Sequence, residues 1–303
     1  MDRRSFLLAA AALAAACARD ESSPRGESGG SNAGGGDGDA VTATGGAAKE
    51  ARAGEGAPLG LQLYTVRDLM AEDVAATLAL VAAVGYREVE FAGYFDHSPE
   101  EVRRLLADAG LAAPSAHVGY EQFAESVDAV IEHASAVGHE FVVVPAMPEH
   151  QRRTTDDYRR HAENFDRWAE ACAAAGLKFG YHNHTFEFEE TEGEIPYDLL
   201  LAETDPARVL MELDLAWARG GNADALAYFE AWPGRFPLCH IKDYGDGEDV
   251  DIDKGDVNFE RIFQAASTAG LKHGFVERDN AADPRASIRA NFEAISPLWQ
   301  RYL

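Results

Sequence analysis

Asp214, His240 and Glu277 stand at or near the ends of three successive short apolar runs, 209–215, 237–243 and 272–277. Two carboxylates gathered with an imidazole at one point repel each other unless a cation lies among them. With a cation they form a mixed oxygen and nitrogen ligand set, suited to Mn²⁺, Zn²⁺, Co²⁺ or Fe²⁺. We expect one divalent ion, with Mn²⁺ as the first choice.

The placement repeats along the chain. Gln62 and Tyr64, then Glu90, His117, the His182-Asn183-His184 triplet, Glu212, and Lys242 with Asp243 all fall late in apolar runs. His182 and His184 share one face of the run 178–184 by the two-residue period of a strand, so either offers a fourth ligand. Lys242 shares a face with His240 by the same period. The plainer reading of these residues is a buried hydrogen-bonded ionic network without a metal.

The elements that must hold these residues follow from periodicity. Runs at 59–65, 88–92, 114–118, 141–146, 178–184, 209–215, 237–243 and 272–277 read as strands, with helical segments between them. Ser98-Pro99-Glu100-Glu101 supplies an N-cap, a first-turn proline and early acids. Val84-Gly85, Ala109-Gly110, Val137-Gly138, Ala175-Gly176 and Ala269-Gly270 place glycine where a helix ends in a left-handed residue. Eight such units predict a single-domain (β/α)8 barrel over 58–303, closed by a helix at about 284–303. The active site of that fold lies at the C-terminal ends of the strands, where the polar residues fall.

The formal net charge of −25 is carried almost wholly by the barrel, because residues 1–57 hold six basic and eight acidic groups. Such a body repels phosphate backbones, and nucleic acid is not an expected partner. Cys172 and Cys239 read as small buried hydrophobes rather than as a disulfide or zinc ligands.

Residues 1–17 open with Arg3-Arg4-Ser5-Phe6-Leu7 and an apolar stretch too short to span a bilayer. The order resembles a twin-arginine export signal. Ala14-Ala15-Ala16-Cys17 resembles a lipobox, so Cys17 is the expected lipid anchor and the membrane is met only there. Plain cleavage at the alanines, giving a soluble periplasmic protein, is the alternative. Residues 18–57 are rich in Gly, Ser, Ala and Asp without apolar period and read as a flexible tether.

The order Gly60-Leu61-Gln62-Leu63-Tyr64, Gly85-Tyr86-Arg87-Glu88-Val89-Glu90, Ser115-Ala116-His117, Tyr181-His182-Asn183-His184 with Glu187, Glu212-Leu213-Asp214 with Trp217, His240-Ile241-Lys242-Asp243 and Val276-Glu277 resembles the sugar phosphate isomerase/epimerase superfamily, the xylose-isomerase-like TIM barrels. The resemblance implies a metal held from strands five to eight, matched here by His182, Asp214, His240 and Glu277. The tagatose 3-epimerase and hydroxypyruvate isomerase branches carry Glu at the strand-five position, so the histidine there puts a two-glutamate proton transfer in doubt. Glu187 and Glu212 are the candidates to replace it. The family's Asp-x-x-His reads Asp214-Leu215-Ala216-Trp217, which offers an indole in place of a substrate-binding histidine. The His-Asn-His form is similar to an exported branch, related to barrels that act on 3-keto-sugars or 3-keto-glycosides.

The expected function is isomerisation or epimerisation of a free sugar or keto-sugar through an enediolate. Glu277, His184, Glu187 and Lys242 are the expected catalytic residues, and Gln62, Tyr64, Glu90, His117 and Trp217 the expected substrate contacts. A metal-dependent 3-keto-glycoside lyase or hydrolase and a non-catalytic sugar-binding lipoprotein are the competing readings. A phosphodiesterase like endonuclease IV shares the fold but needs more ligands than this chain supplies, and the acidic charge opposes DNA. The oligomeric state is not legible in the sequence.

Overall fold

The computed structural model describes residues 56–303. The export signal, Cys17 and nearly all of the expected tether lie outside the described residues.

Eight parallel strands close into a barrel: β1 (Gly60–Gln62), β2 (Glu88–Ala92), β3 (Ala112–His117), β4 (Phe141–Val144), β5 (Lys178–His182), β6 (Val209–Asp214), β7 (Leu238–Ile241) and β10 (His273–Val276). Two further strands, β8 (Asp243–Gly245) and β9 (Glu248–Val250), form an antiparallel hairpin beyond β7. The barrel closes where Gly60 pairs with Phe275 and Leu61 with Val276. A Cβ at Gly60 would lie 2.4 Å from the Phe275 ring, so closure requires glycine there.

Strand alternation sorts the core. Phe141, Val143, Leu238 and Phe275 form one buried cluster joined by Leu210, the apolar floor inside the barrel. Their neighbours along the strands join the larger cluster between barrel and helices, where Phe165 and Trp168 of helix Thr155–Ala174 meet Phe179 of β5. The helix ends follow local chemistry. Ser98 and Glu101 form a reciprocal capping box around Pro99. Gly85, Gly110, Gly138, Gly176 and Gly270 all take positive φ, as the helix-end reading requires.

Several boundaries differ from expectation, and three of the differences have a plain local cause. β1 stops at Gln62 because the Gln62 side chain accepts from Tyr64 N and starts a 3₁₀ turn over Leu63–Val66. β5 stops at His182 because the Asn183 side chain pairs with the backbone of Asp214 in both directions. Gly56 and Ala57 belong to the described body rather than the tether, and Trp299 of the last helix, Pro284–Tyr302, donates its indole N–H to Ala57 O at 3.0 Å.

Cys172 and Cys239 are free and buried. No helix among the described residues is long and apolar enough to cross a membrane.

Candidate active site

Above the apolar floor the barrel interior turns polar, and strand register decides which side chains meet. Gln62 pairs in register with Glu90, Glu90 with Ser115, and Asp214 with His240. Two groups of potential ligands result, Glu90, His117, Glu212 and His240 in one, and His182, Asp214, His240 and Glu277 in the other. His240 belongs to both.

The lower group is bound together by hydrogen bonds. Glu90, with no solvent exposure, accepts from Gln62 Nε2 at 2.7 Å and from Ser115 Oγ at 2.5 Å, and its Oε2 lies 2.8 Å from His240 Nε2. His117 Nε2 lies 2.7 Å from Glu212 Oε2 and 3.3 Å from Glu90 Oε2. Burial works to raise the Glu90 pKa, but the charge of His117 and the hydrogen bond and charge of His240 hold that carboxyl down at about 2. Burial and the neighbouring Glu90 carboxylate push the Glu212 pKa well above the usual carboxylate range.

The upper group has the form of a ligand set. His182 Nδ1 lies 3.1 Å from Pro145 O, so its N–H donates there and leaves Nε2 as a lone pair. Asp214 Oδ1 accepts from Trp217 N at 2.8 Å, capping helix Leu215–Gly220, which leaves Oδ2 free of that bond. His182 Nε2 and Asp214 Oδ2 are both buried without a hydrogen-bond partner. Leaving such atoms unpaired costs ~1–3 kcal/mol each. His240 Nδ1 is 2.9 Å from Glu277 Oε2 and 3.7 Å from Asp214 Oδ2. Two carboxylates and two imidazoles, with His182 Nε2 and Asp214 Oδ2 lacking a hydrogen-bond partner, suit a divalent cation of the transition series.

Lys242 brings a positive charge against the same carboxylates, with Nζ 2.7 Å from Glu277, 3.3 Å from Asp214 and 3.0 Å from Asp279. Burial works against ionisation of these groups. The Lys242 charge outweighs it and holds Asp214 and Glu277 well below the carboxylate range, with His182 and His240 adding to the effect at Asp214 and His240 at Glu277.

The remaining expected site residues divide. His184 follows β5 rather than ending it, but its ring lies 5.0 Å from that of His182. Burial holds its pKa down at about 3, so the ring is neutral, and its Nδ1 is unpartnered. Trp217 has Lys242 Nζ 4.7 Å from its ring centre and the His184 ring 6.3 Å away at 18°. The indole is half-buried, and its N–H is buried without a hydrogen-bond partner. Tyr64 is 43% exposed at the rim, under the Arg67 guanidinium.

Gln62, Glu90 and Glu187 do not reach the mouth as expected. The first two lie in the buried lower layer, their polar atoms bonded to protein. Glu187 turns beneath the strand end, where the Tyr181 hydroxyl and His184 N–H donate to its two oxygens. Burial raises its pKa to about 7.

Two functional neighbours were missed from the sequence. Asp279 lies two residues beyond Glu277 and is the third carboxylate around Lys242; the two-residue period would have pointed to it. Asp249 of β9 holds it, accepting from Asp279 N at 2.8 Å and pairing with Arg278 Nε at 3.1 Å. The hairpin that carries Asp249 is itself fixed by Asp243, whose carboxylate accepts from the backbone N–H of Tyr244, Gly255 and Val257.

Comparison with known proteins agrees with this architecture. The xylose isomerase-like TIM barrel family matches residues 78–295, and the chain belongs to that family. It is similar to an inosose dehydratase of Lacticaseibacillus casei, 23% identical over 210 residues, and spans about two thirds of that protein: 63% of this chain and 67% of the relative are covered. Among solved structures it is similar to a sugar phosphate isomerase/epimerase from Parabacteroides distasonis ATCC 8503, with 26% identity, a TM-score of 0.73, and coverage of 82% of this chain and 97% of that one. The IOLI protein, whose structure has a bound zinc atom, shares the fold at 13% identity and a TM-score of 0.66, with 81% of this chain and 99% of that one covered.

Proposed function

We propose that this chain is a divalent-metal-dependent enzyme that isomerises or epimerises a free sugar or keto-sugar through an enediolate. The observation that carries the proposal is the upper group: His182 Nε2 and Asp214 Oδ2, buried and unpartnered, beside His240 Nδ1 and Glu277. The names of the relatives support a sugar or cyclitol substrate, and the zinc in a protein of the same fold supports a metal.

A divalent cation in this set supplies fixed positive charge for the negative charge that develops when a C–H beside a carbonyl loses its proton. The chain's own residues do the rest. Lys242 Nζ, held between Asp214 and Glu277, faces the same charge with its ammonium. Glu277, ionised at the mouth, accepts the proton. The neutral His184 ring offers a second acceptor at Nδ1. Glu187 takes no part, because both its oxygens are bonded beneath the strand end. His117 and Trp217 N–H line the approach and hold substrate oxygens.

A second reading rests on the likeness to a dehydratase. Removal of the same proton followed by loss of a leaving group gives an elimination, so a 3-keto-glycoside is cleaved rather than isomerised. Arg3-Arg4 and Cys17 support an exported, lipid-anchored chain that meets unphosphorylated sugars outside the cytoplasm.

The deciding experiment is turnover by metal-loaded protein in D₂O on sugars and 3-keto-glycosides. Deuterium entering a product of conserved connectivity supports isomerisation. Release of an aglycone or second sugar moves the assignment to elimination or hydrolysis. Sugar binding without turnover at any metal loading leaves a binding protein and sinks the enzymatic reading.

A further inference from the structure

His240 has a bonded neighbour at each ring nitrogen, Glu90 at Nε2 and Glu277 at Nδ1. A neutral imidazole that offers the Nδ1 lone pair to a cation must keep its proton on Nε2, and a buried N–H needs an acceptor. Glu90 Oε2 lies 2.8 Å away. The carboxylate is itself fixed on both oxygens, by Ser115 at Oε1 and Gln62 at Oε2. Gln62 in turn is fixed by accepting from Tyr64 N at 3.0 Å. A chain of bonds therefore runs from the 3₁₀ turn after β1, through β1 and β2 with β3 alongside, to the ring on β7.

A parallel barrel interior favours apolar side chains, and a fully buried carboxylate is costly unless it is paired. The same strand shows what a structural pair looks like. Glu88, two residues earlier and at the start of β2, meets His273 Nδ1 at 2.8 Å, and neither residue belongs to either ligand group. The two carboxylate–imidazole pairs have equal lengths, and they differ in what the far side of the ring faces.

We propose that Glu90 is a positioning residue for the metal: by accepting the Nε2–H of His240 it fixes the ring so that Nδ1 points at His182, Asp214 and Glu277. The assignment rests on the metal reading above and replaces the substrate contact expected of Glu90.

The test titrates Zn²⁺ and Mn²⁺ calorimetrically into metal-free full chain, for wild type, Glu90→Gln and the matched control Glu88→Gln. ¹⁵N NMR of histidine-labelled, zinc-loaded protein reads the His240 nitrogens. Glu90→Gln is expected to weaken metal binding about 10–100-fold, the usual cost of losing such a partner, and to shift the Nε2–H resonance. Glu88→Gln is expected to leave both unchanged. Should Glu90→Gln fail to fold, Ser115→Ala carries the test, with weaker binding in the same direction. Wild-type affinity in the folded Glu90→Gln protein, or in Ser115→Ala where that variant stands in, overturns the assignment alone, as does an equal loss in Glu88→Gln. A wild-type chain that takes up neither ion overturns the metal reading, and this assignment with it.

Discussion

His182 Nε2 lies 3.5 Å from Asp214 Oδ2, and neither atom has a hydrogen-bond partner. With its proton donated to Pro145 O, the ring turns a lone pair towards a carboxylate oxygen that has Lys242 Nζ 3.3 Å away on another side, and a divalent cation between ring and carboxylate would relieve the remaining repulsion. Divalent metal should therefore raise the unfolding temperature, by up to about 4 kcal/mol of added stability at a thousand times Kd. His182→Ala and Asp214→Ala should each lower bound metal, and His240→Ala should remove most of it with the barrel still folded. Full metal occupancy in His240→Ala, read by elemental analysis, would sink the site.

Lys242 neutralises the carboxylates that a cation would share. Lys242→Met leaves Asp214, Glu277 and Asp279 without it and should destabilise the metal-free protein by roughly 3–5 kcal/mol, the cost of breaking a buried pair from one side. Divalent metal should restore much of that loss while turnover stays low. Equal denaturant midpoints for metal-free wild type and variant would show that Lys242 stabilises nothing there.

Glu187 gives a pH signature. Its pKa rises from an ordinary 4.5 to about 7 on burial. Between those values the folded chain binds more protons than the unfolded one, so stability falls as pH rises through the window and levels above it. The contribution is about 3 kcal/mol at most. Glu187→Gln should remove this slope, seen as a difference in unfolding temperature that narrows or reverses from pH 4.5 to 7. Parallel profiles for the two proteins would refute it.

The proposed export signal and lipid anchor can be tested separately. Cys17→Ser should move the protein from the membrane fraction to the soluble one. Arg3→Lys with Arg4→Lys should retain it in the cytoplasm. A Cys17→Ser protein still sedimenting with membranes would mean that something other than a lipid holds it.

The strand–helix alternation is legible in the sequence because its signals are local: apolar runs, the Ser98 cap, the glycines after helices. The upper ligand group is legible as well, since His182 and Asp214 end their strands and Glu277 follows its own. Depth is less so. Glu90 and Glu212 stand two residues before the ends of β2 and β6, and that offset places them a layer below the mouth. The path of Glu187 depends on Tyr181, which packs outwards against Phe165, and no spacing within 181–187 reveals that contact.

The β8–β9 hairpin stands outside the repeating strand–helix units, yet Asp249 on it steadies Asp279, and Asp279 helps balance the ammonium of Lys242. Exchange of that excursion for another would alter the charge met by an incoming molecule while every barrel strand kept its sequence. The charge around Lys242 is thus set in part by a segment that no barrel strand or helix contains.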